Sequence, residues 1–365
     1  MMTLVFNRQS LLDALTMGSH FCTDNKAIPL LSNVKITLKK GLLVVASFNG
    51  ESAIKYAMKI ADDVNEFEAC INAKDIISII QNIKEDEVTL VLDSNKCTIN
   101  HSRGKLEVAN VDASDMLIPT MENTDDVIEL NNEIICNIFK DGIDFVNADE
   151  LRPTTNGIYL SYKNGVLDAA STNSHILYAN SQVIDENSQE CNYEAIVSKN
   201  CINAIIKATS KEGKCKIKFG NSNIEFRVSN ISIICRKIVG KFPNYKAVIP
   251  NDFVGTITLS RNELINSIKR LNLISDISKS VKMKYDNGIL NLDAINIGMA
   301  KAGNEHIECQ GDIDFPLGIN GNNLLICLNA ITKEEICLNF KSDKSPLTIK
   351  EDNKTILCMP VNLNN

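Results

Sequence analysis

The sequence predicts an α+β fold made of three copies of one unit, each with two helices packed on antiparallel sheets. Three observations carry this expectation. Helix-period apolar stripes occur six times, strand-period alternation fills the stretches between them, and the whole pattern recurs about every 120 residues. Copies in line point to a function of the assembled array rather than of one catalytic cleft.

Each third opens on an amphipathic helix: FNRQSLLDAL from Phe6, NNEIICNIF from Asn131 and SRNELINSIKRL from Ser260. A second helix follows midway through each: AKDIISIIQNI from Ala73, SKNCINAIIKA from Ser198 and NGNNLLICLNAI from Asn320. The stripes pair aliphatics and repeat one turn later, as in Leu11, Leu12 and Leu15 or Ile76, Ile77 and Ile80. One face of each helix is therefore apolar and the other polar, the pattern of a helix lying on a sheet. Between helices, LVVASFNG from Leu43 and KCKIKFGNSNIEFRVSNISIICRKIV from Lys214 alternate as half-buried strands. Asn164-Gly165 and Asn287-Gly288, flanked by β-formers, are tight hairpin turns. Polar, turn-rich stretches at 123–127 and 250–255 place the boundaries at 1–124, 125–252 and 253–365.

At 365 residues and 44% hydrophobic, the chain has ample material for packed cores. It contains no apolar run near the ~18 residues of a membrane helix. Its start, MMTLVFNRQS, lacks the basic and apolar regions of a signal peptide, so the cytoplasm is the expected compartment and no membrane partner is expected. The 12 cysteines stand singly, with no CxxC pair and no histidine at zinc-ligand spacing. They read as reduced core thiols. The net charge of −7 argues against a simply basic nucleic-acid binder, although the helices and their flanks carry a mildly positive balance.

Little in the chain suggests catalysis. There is no GxxxxGK[ST] loop, no GxGxxG between strand and helix, and neither GxSxG nor HExxH. Of four histidines, only His175 in STNSHILYA lies in a polar cluster. Nothing supplies the other members of a catalytic site, and a turn between two strands is the favoured reading. Catalytic residues, cofactor and metal are all expected to be none.

Several segments carry a family likeness. AASTNSHILYANS from Ala169, RKIVGKFPNYKAVIP from Arg236 and the terminal ILCMPVNL from Ile356 resemble the bacterial DNA polymerase III β subunit family, the β sliding clamps. AIPLLSNVKI from Ala27 and RPTTNGIYL from Arg152 are similar to two further family segments. The resemblance spans the chain in order, and it implies a non-enzymatic processivity factor. Two three-domain subunits would close head to tail into a ring, each forming half, around duplex DNA without sequence specificity. Twelve helices side by side at ~9–10 Å give a circumference of about 115 Å and, less helix thickness, a hole of roughly 25 Å, wide enough for a duplex.

The resemblance also assigns residues. DNA would be met by Arg8, Lys26, Lys74, Lys140, Lys199, Lys207 and Arg270, whose charges contact phosphates without reading bases. The homodimer interface would use Leu106 and Val108 on one side, Leu273 and Ile274 on the other. A hydrophobic pocket for linear motifs of the polymerase, the clamp loader and repair proteins would draw on several segments. Thr155, Thr172, His175, Ile176 and Leu177 form one wall; Pro243, Val248, Asn320, Met359, Pro360 and Val361 complete it. The chain departs from the family pattern there. Asn173-Ser174 replaces Asp-Gly, and Ile176 and Ala247 stand where the family carries arginine. Those departures keep open a clamp-like adaptor of a mobile element. A Cys- or His-dependent α+β enzyme is the remaining alternative.

Overall fold

The computed structural model describes residues 2–60, 65–121, 127–149, 151–185, 191–210 and 212–362. The first boundary, between residues 124 and 125, lies outside the described residues. All six anticipated helices form, and the strands between them are antiparallel throughout.

The first repeat runs β1 (Met2–Asn7), α1 (Arg8–Gly18), β2 (Asn33–Lys39), β3 (Leu42–Phe48), β4 (Ser52–Lys59), β5 (Phe67–Asn72), α2 (Ala73–Asn82), β6 (Glu87–Leu92), β7 (Lys96–His101) and β8 (Gly104–Val111). The second runs β9 (Val127–Asn131), α3 (Asn132–Gly142), β10 (Gly157–Lys163), β11 (Val166–Thr172), β12 (Ile176–Val183), β13 (Asn192–Ser198), α4 (Lys199–Ala208), β14 (Lys214–Phe219), β15 (Asn223–Val228) and β16 (Ile231–Arg236). The third runs β17 (Gly255–Ser260), α5 (Arg261–Ile274), β18 (Ser280–Asp286), β19 (Ile289–Asn296), β20 (Lys301–Glu308), the short β21 (Gln310–Gly311), β22 (Leu317–Asn320), α6 (Gly321–Asn329), β23 (Glu335–Phe340), β24 (Leu347–Glu351) and β25 (Lys354–Cys358).

Strand order shows the repetition more sharply than the helices do. The first repeat contributes the runs β1-β6-β7-β8 and β5-β2-β3-β4. Their counterparts are β9-β14-β15-β16 and β13-β10-β11-β12 in the second repeat, β17-β23-β24-β25 and β22-β18-β19-β20 in the third. The repeats are stitched by one kind of seam. β16 pairs with β4, Ile233 opposite Ile54, and β25 pairs with β12, Leu357 opposite Leu177.

The chain separates into two compact units, one of residues 1–136 and 200–237, the other of 137–199 and 238–365. The first holds a twelve-stranded sheet; the second holds a nine-stranded and a four-stranded sheet. The division passes through the second repeat, because each seam binds half of that repeat to a neighbour.

Local chemistry explains the elements. Asn7, Asn72, Ser260 and Asn320 each cap a helix by accepting an N–H three residues on. The apolar stripes are buried: Leu11, Ala14 and Leu15 on α1, Ile76 and Ile80 on α2, Leu264, Ile268 and Leu271 on α5. Asn164-Gly165 and Asn287-Gly288 turn with positive φ at both positions, as their hairpins require. Lys40-Gly41 turns the same way without the asparagine signal.

The reduced-thiol expectation needs correction at two positions. Cys201 and Cys235 form a disulfide, Cα–Cα 6.2 Å apart. The apolar face of α4 carries Cys201 against β16, where Cys235 points inward; the Ser52 hydroxyl lies 2.9 Å from the Cys201 sulfur. The other ten cysteines form no disulfide among the described residues, and burial raises the pKa of Cys97 and Cys215 to about 12, so they stay protonated.

Candidate peptide pocket, DNA face and edge strands

The pocket residues all fall in the second unit. Between β11 and β12 the chain turns at Asn173–His175, as expected for His175. Asn173 Oδ1 accepts from the N–H groups of His175 and Ile176, both at 3.0 Å, and Thr172 Oγ1 donates to the Ile176 carbonyl at 2.6 Å. Ser174 takes φ 76°, and its hydroxyl accepts from Arg152 Nη1 at 3.1 Å. Asparagine thus does structural work where the family carries aspartate. The C-terminal segment leans on this turn: Met359 N–H donates to the His175 carbonyl at 2.8 Å, and Val361 N–H to the Gly318 carbonyl at 2.9 Å. Pro360 bridges to Ile319.

Not every assigned wall residue reaches a surface. Ile176 is 1% exposed and belongs to the core beneath α5 and α6, because strand alternation points it opposite Leu177. Thr155 is buried, its hydroxyl shared between Asn147 Nδ2 and the Arg152 carbonyl. Asn320 spends Oδ1 on capping α6 and Nδ2 on the Ser278 carbonyl. His175, Pro243, Val248 and Met359 are exposed; Thr172, Pro360 and Val361 are half-buried. Leu177 floors a small apolar cluster with Phe242, Tyr245 and Leu357, and Tyr159 stacks on Phe242 at 5.1 Å. The sequence reading omitted Phe242 and Tyr245, although both stand in its KFPNY segment.

The cations are distributed over both units. Lys26, Lys74, Lys140, Lys199 and Lys207 are exposed, and among the described residues none has an ion-pair partner. Arg8 is half-buried at the start of α1 and donates to Gln9. Arg270 differs: it is bound to Glu305 of β20 through two short hydrogen bonds.

The edge residues divide likewise. Leu106 is 43% exposed on β8, but Val108 is 8% exposed and packs in the first repeat's own core. Leu273 is 80% exposed, whereas Ile274 is partly buried against the third repeat's core. Val108 and Ile274 therefore support these edges from within their own repeats.

Comparison with known proteins agrees with this architecture. Residues 2–125, 133–244 and 246–361 match the family models of the DNA polymerase III beta subunit N-terminal, central and C-terminal domains. The "Beta sliding clamp" of Rickettsia bellii is 26% identical, covering 99% of this chain and 100% of that protein. That of Streptococcus pneumoniae is 22% identical over 94% of this chain and 93% of its own length. The crystal structure of the DNA polymerase III subunit beta from Pseudomonas aeruginosa superposes with a TM-score of 0.93 at 19% identity, covering 99% and 100% of the two chains. The Streptococcus pneumoniae beta chain gives 0.93 at 20% identity over both full chains. The chain belongs to the DNA polymerase III beta subunit family, the DNA sliding clamps.

Proposed function

We propose that two copies of this chain close head to tail into a ring that encircles duplex DNA and holds replication partners by linear motifs. The observation that carries this reading is an unfilled seam. Inside the chain, a strand of the β8 type always pairs with the β4-type strand of the preceding repeat, as β16 does with β4 and β25 with β12. Among the described residues, β8 meets no such strand, and over Gly104–Ala109 it pairs only with β7. β20, the β4-type strand of the third repeat, pairs among the described residues only with β19. β8 of one copy and β20 of another complete the missing seam, which also removes two exposed sheet edges. Exposed Leu106 lies on the first edge, and exposed Leu273 ends α5 beside the second.

The role is that of a non-catalytic processivity factor working in the cytoplasm. Polymerase, clamp loader and repair proteins would anchor apolar side chains over the Leu177, Phe242 and Tyr245 cluster and the Met359–Val361 segment. No structural observation favours a mobile-element adaptor or a Cys/His enzyme. The test is topological. Protein loaded on nicked circular DNA should stay bound through gel filtration and leave within minutes once the circle is linearised. Equal loss from circle and line would refute encirclement.

A further inference from the structure

The twelve-stranded sheet carries a second polar site on the face opposite α4. Register places Lys55, Ser232, Arg227 and Lys216 in one cross-strand row, and Ala53, Ile234, Glu225 and Lys218 in the next. Alternation sends their neighbours Ile54, Ile233, Phe226 and Ile217 inward, all fully buried. Thr120 and Met121 pass beside the rows, and an open pocket of about 440 Å³ lies between.

Glu225 is the unusual member. It is 2% exposed, and its Oε1 accepts from Ser232 Oγ at 2.6 Å and Arg227 Nε at 2.9 Å. Its Oε2 is buried and has no donor. A buried carboxylate oxygen left without a donor is costly, so the site is shaped for a group that supplies one. Around it stand three cations, Lys55, Lys218 and Arg227. Burial lowers the pKa of Lys55, against the opposing pull of Glu225, so an anion beside Lys55 would relieve its desolvation.

These facts restrict the ligand. A metal ion would suit Oε2 but meet three positive charges. A bare anion would suit the cations but press against Oε2. A single small molecule bearing both an anionic group and a hydroxyl donor satisfies both. Val44, Ala57, Ile234 and Met121 add an apolar wall on which a planar ring can lie. Carboxylates elsewhere hold ribose hydroxyls while neighbouring groups hold the phosphate. We propose that this pocket binds a nucleoside phosphate, with ribose hydroxyls on Glu225 Oε2, phosphate on Lys55 and Lys218, and the base against the apolar wall.

The experiment is calorimetric titration of the full-length protein, free of DNA, with ADP at low salt. One site per chain is expected, with a dissociation constant below about 1 mM, the lower end of specific small-ligand affinity. Lys218→Ala, and separately 2′,3′-dideoxy-ADP with wild type, should each weaken binding about tenfold, equivalent to about 1.4 kcal/mol. Glu225→Gln should match the dideoxy loss, but it also disturbs Arg227 and Ser232, so half-exposed Lys218 supplies the variant that leaves the core intact. Absence of saturable ADP binding would overturn the proposal. So would equal affinity for the dideoxy analogue, equal affinity for inorganic phosphate, or indifference to Lys218→Ala.

Discussion

Arg270 holds Glu305 with two arms of its guanidinium: Nε lies 2.6 Å from Oε1, and a terminal nitrogen 2.6 Å from Oε2. The same terminal nitrogen also donates to Ser267 Oγ at 3.2 Å. The carboxylate beside it lifts the Arg270 pKa, and that guanidinium holds Glu305 below the usual carboxylate range. A cation already paired in this geometry has less to gain from a phosphate than one facing only water.

The cations proposed to face DNA should therefore contribute unequally. Replacing Lys74, Lys140, Lys199 and Lys207 by alanine should make the salt dependence of DNA retention shallower, each lost phosphate contact removing a log–log slope of about 0.9. Arg270→Ala should leave that slope nearly unchanged. Dissociation from nicked circular DNA, measured across a salt series, checks both. An Arg270 effect as large as that of one lysine would show that the ion pair opens on DNA.

At the proposed seam, the exposed residues and the buried ones should also differ. Leu273→Asp or Leu106→Asp would place a charge at an apolar junction and should raise the dimer dissociation constant about a hundredfold, from a cost of about 3 kcal/mol. Val108→Asp should unfold the first repeat, because Val108 lies in that repeat's own core. Ile274→Asp should damage the third repeat in the same way, since Ile274 packs closely on Gly303 and on that repeat's core. Light scattering together with thermal melts separates the two classes: folded 40.3-kDa monomers for the leucines, lowered melting for Val108 and Ile274.

What could be read from the sequence follows from range. The six helices were legible because an apolar stripe of period 3.6 is a local signal. The hairpins at Asn164-Gly165 and Asn287-Gly288 were legible for the same reason, whereas Lys40-Gly41 gave half the signal. The seams were not legible, since β16 finds β4 more than 170 residues away by register alone. Arg270 with Glu305, and Glu225 with Ser232, are likewise products of strand register. The pocket wall was over-read at Ile176 because a continuous motif ignores alternation: successive strand residues face opposite sides.

The Cys201–Cys235 pair bears on stability. It closes a loop with a sequence separation of 34, for which the chain-entropy account gives about 3–4 kcal/mol. Adding a reductant should lower the denaturant midpoint of the first unit. A Cys201→Ala, Cys235→Ala double variant should be indifferent to reductant. Identical midpoints for wild type with and without reductant, alongside a mapped disulfide, would show that its formation leaves the unfolding balance unchanged.

The proposed motif pocket carries the last prediction. Its apolar floor is Leu177 with Phe242 and Tyr245, and its edge is the terminal segment held to the His175 and Gly318 carbonyls. Apolar burial at ~25 cal/mol per Å², less ordering costs, should dominate the affinity for a peptide with Leu and Phe anchors. Ile176 is interior and Ala247 carries no charge, so Arg152 is the guanidinium at the turn, already bonded to Ser174 and 3.9 Å from Asp149. Removing acidic residues that flank the anchors should therefore cost less than tenfold. Deleting the tail from Cys358 would strip a buried β25 residue, so a Pro360→Asp, Val361→Asp double variant is the cleaner lesion. That variant should bind the peptide at least tenfold more weakly while keeping its melting temperature, from placing charge at an apolar contact. Equal affinity in a folded variant would mean that partners do not use this cleft.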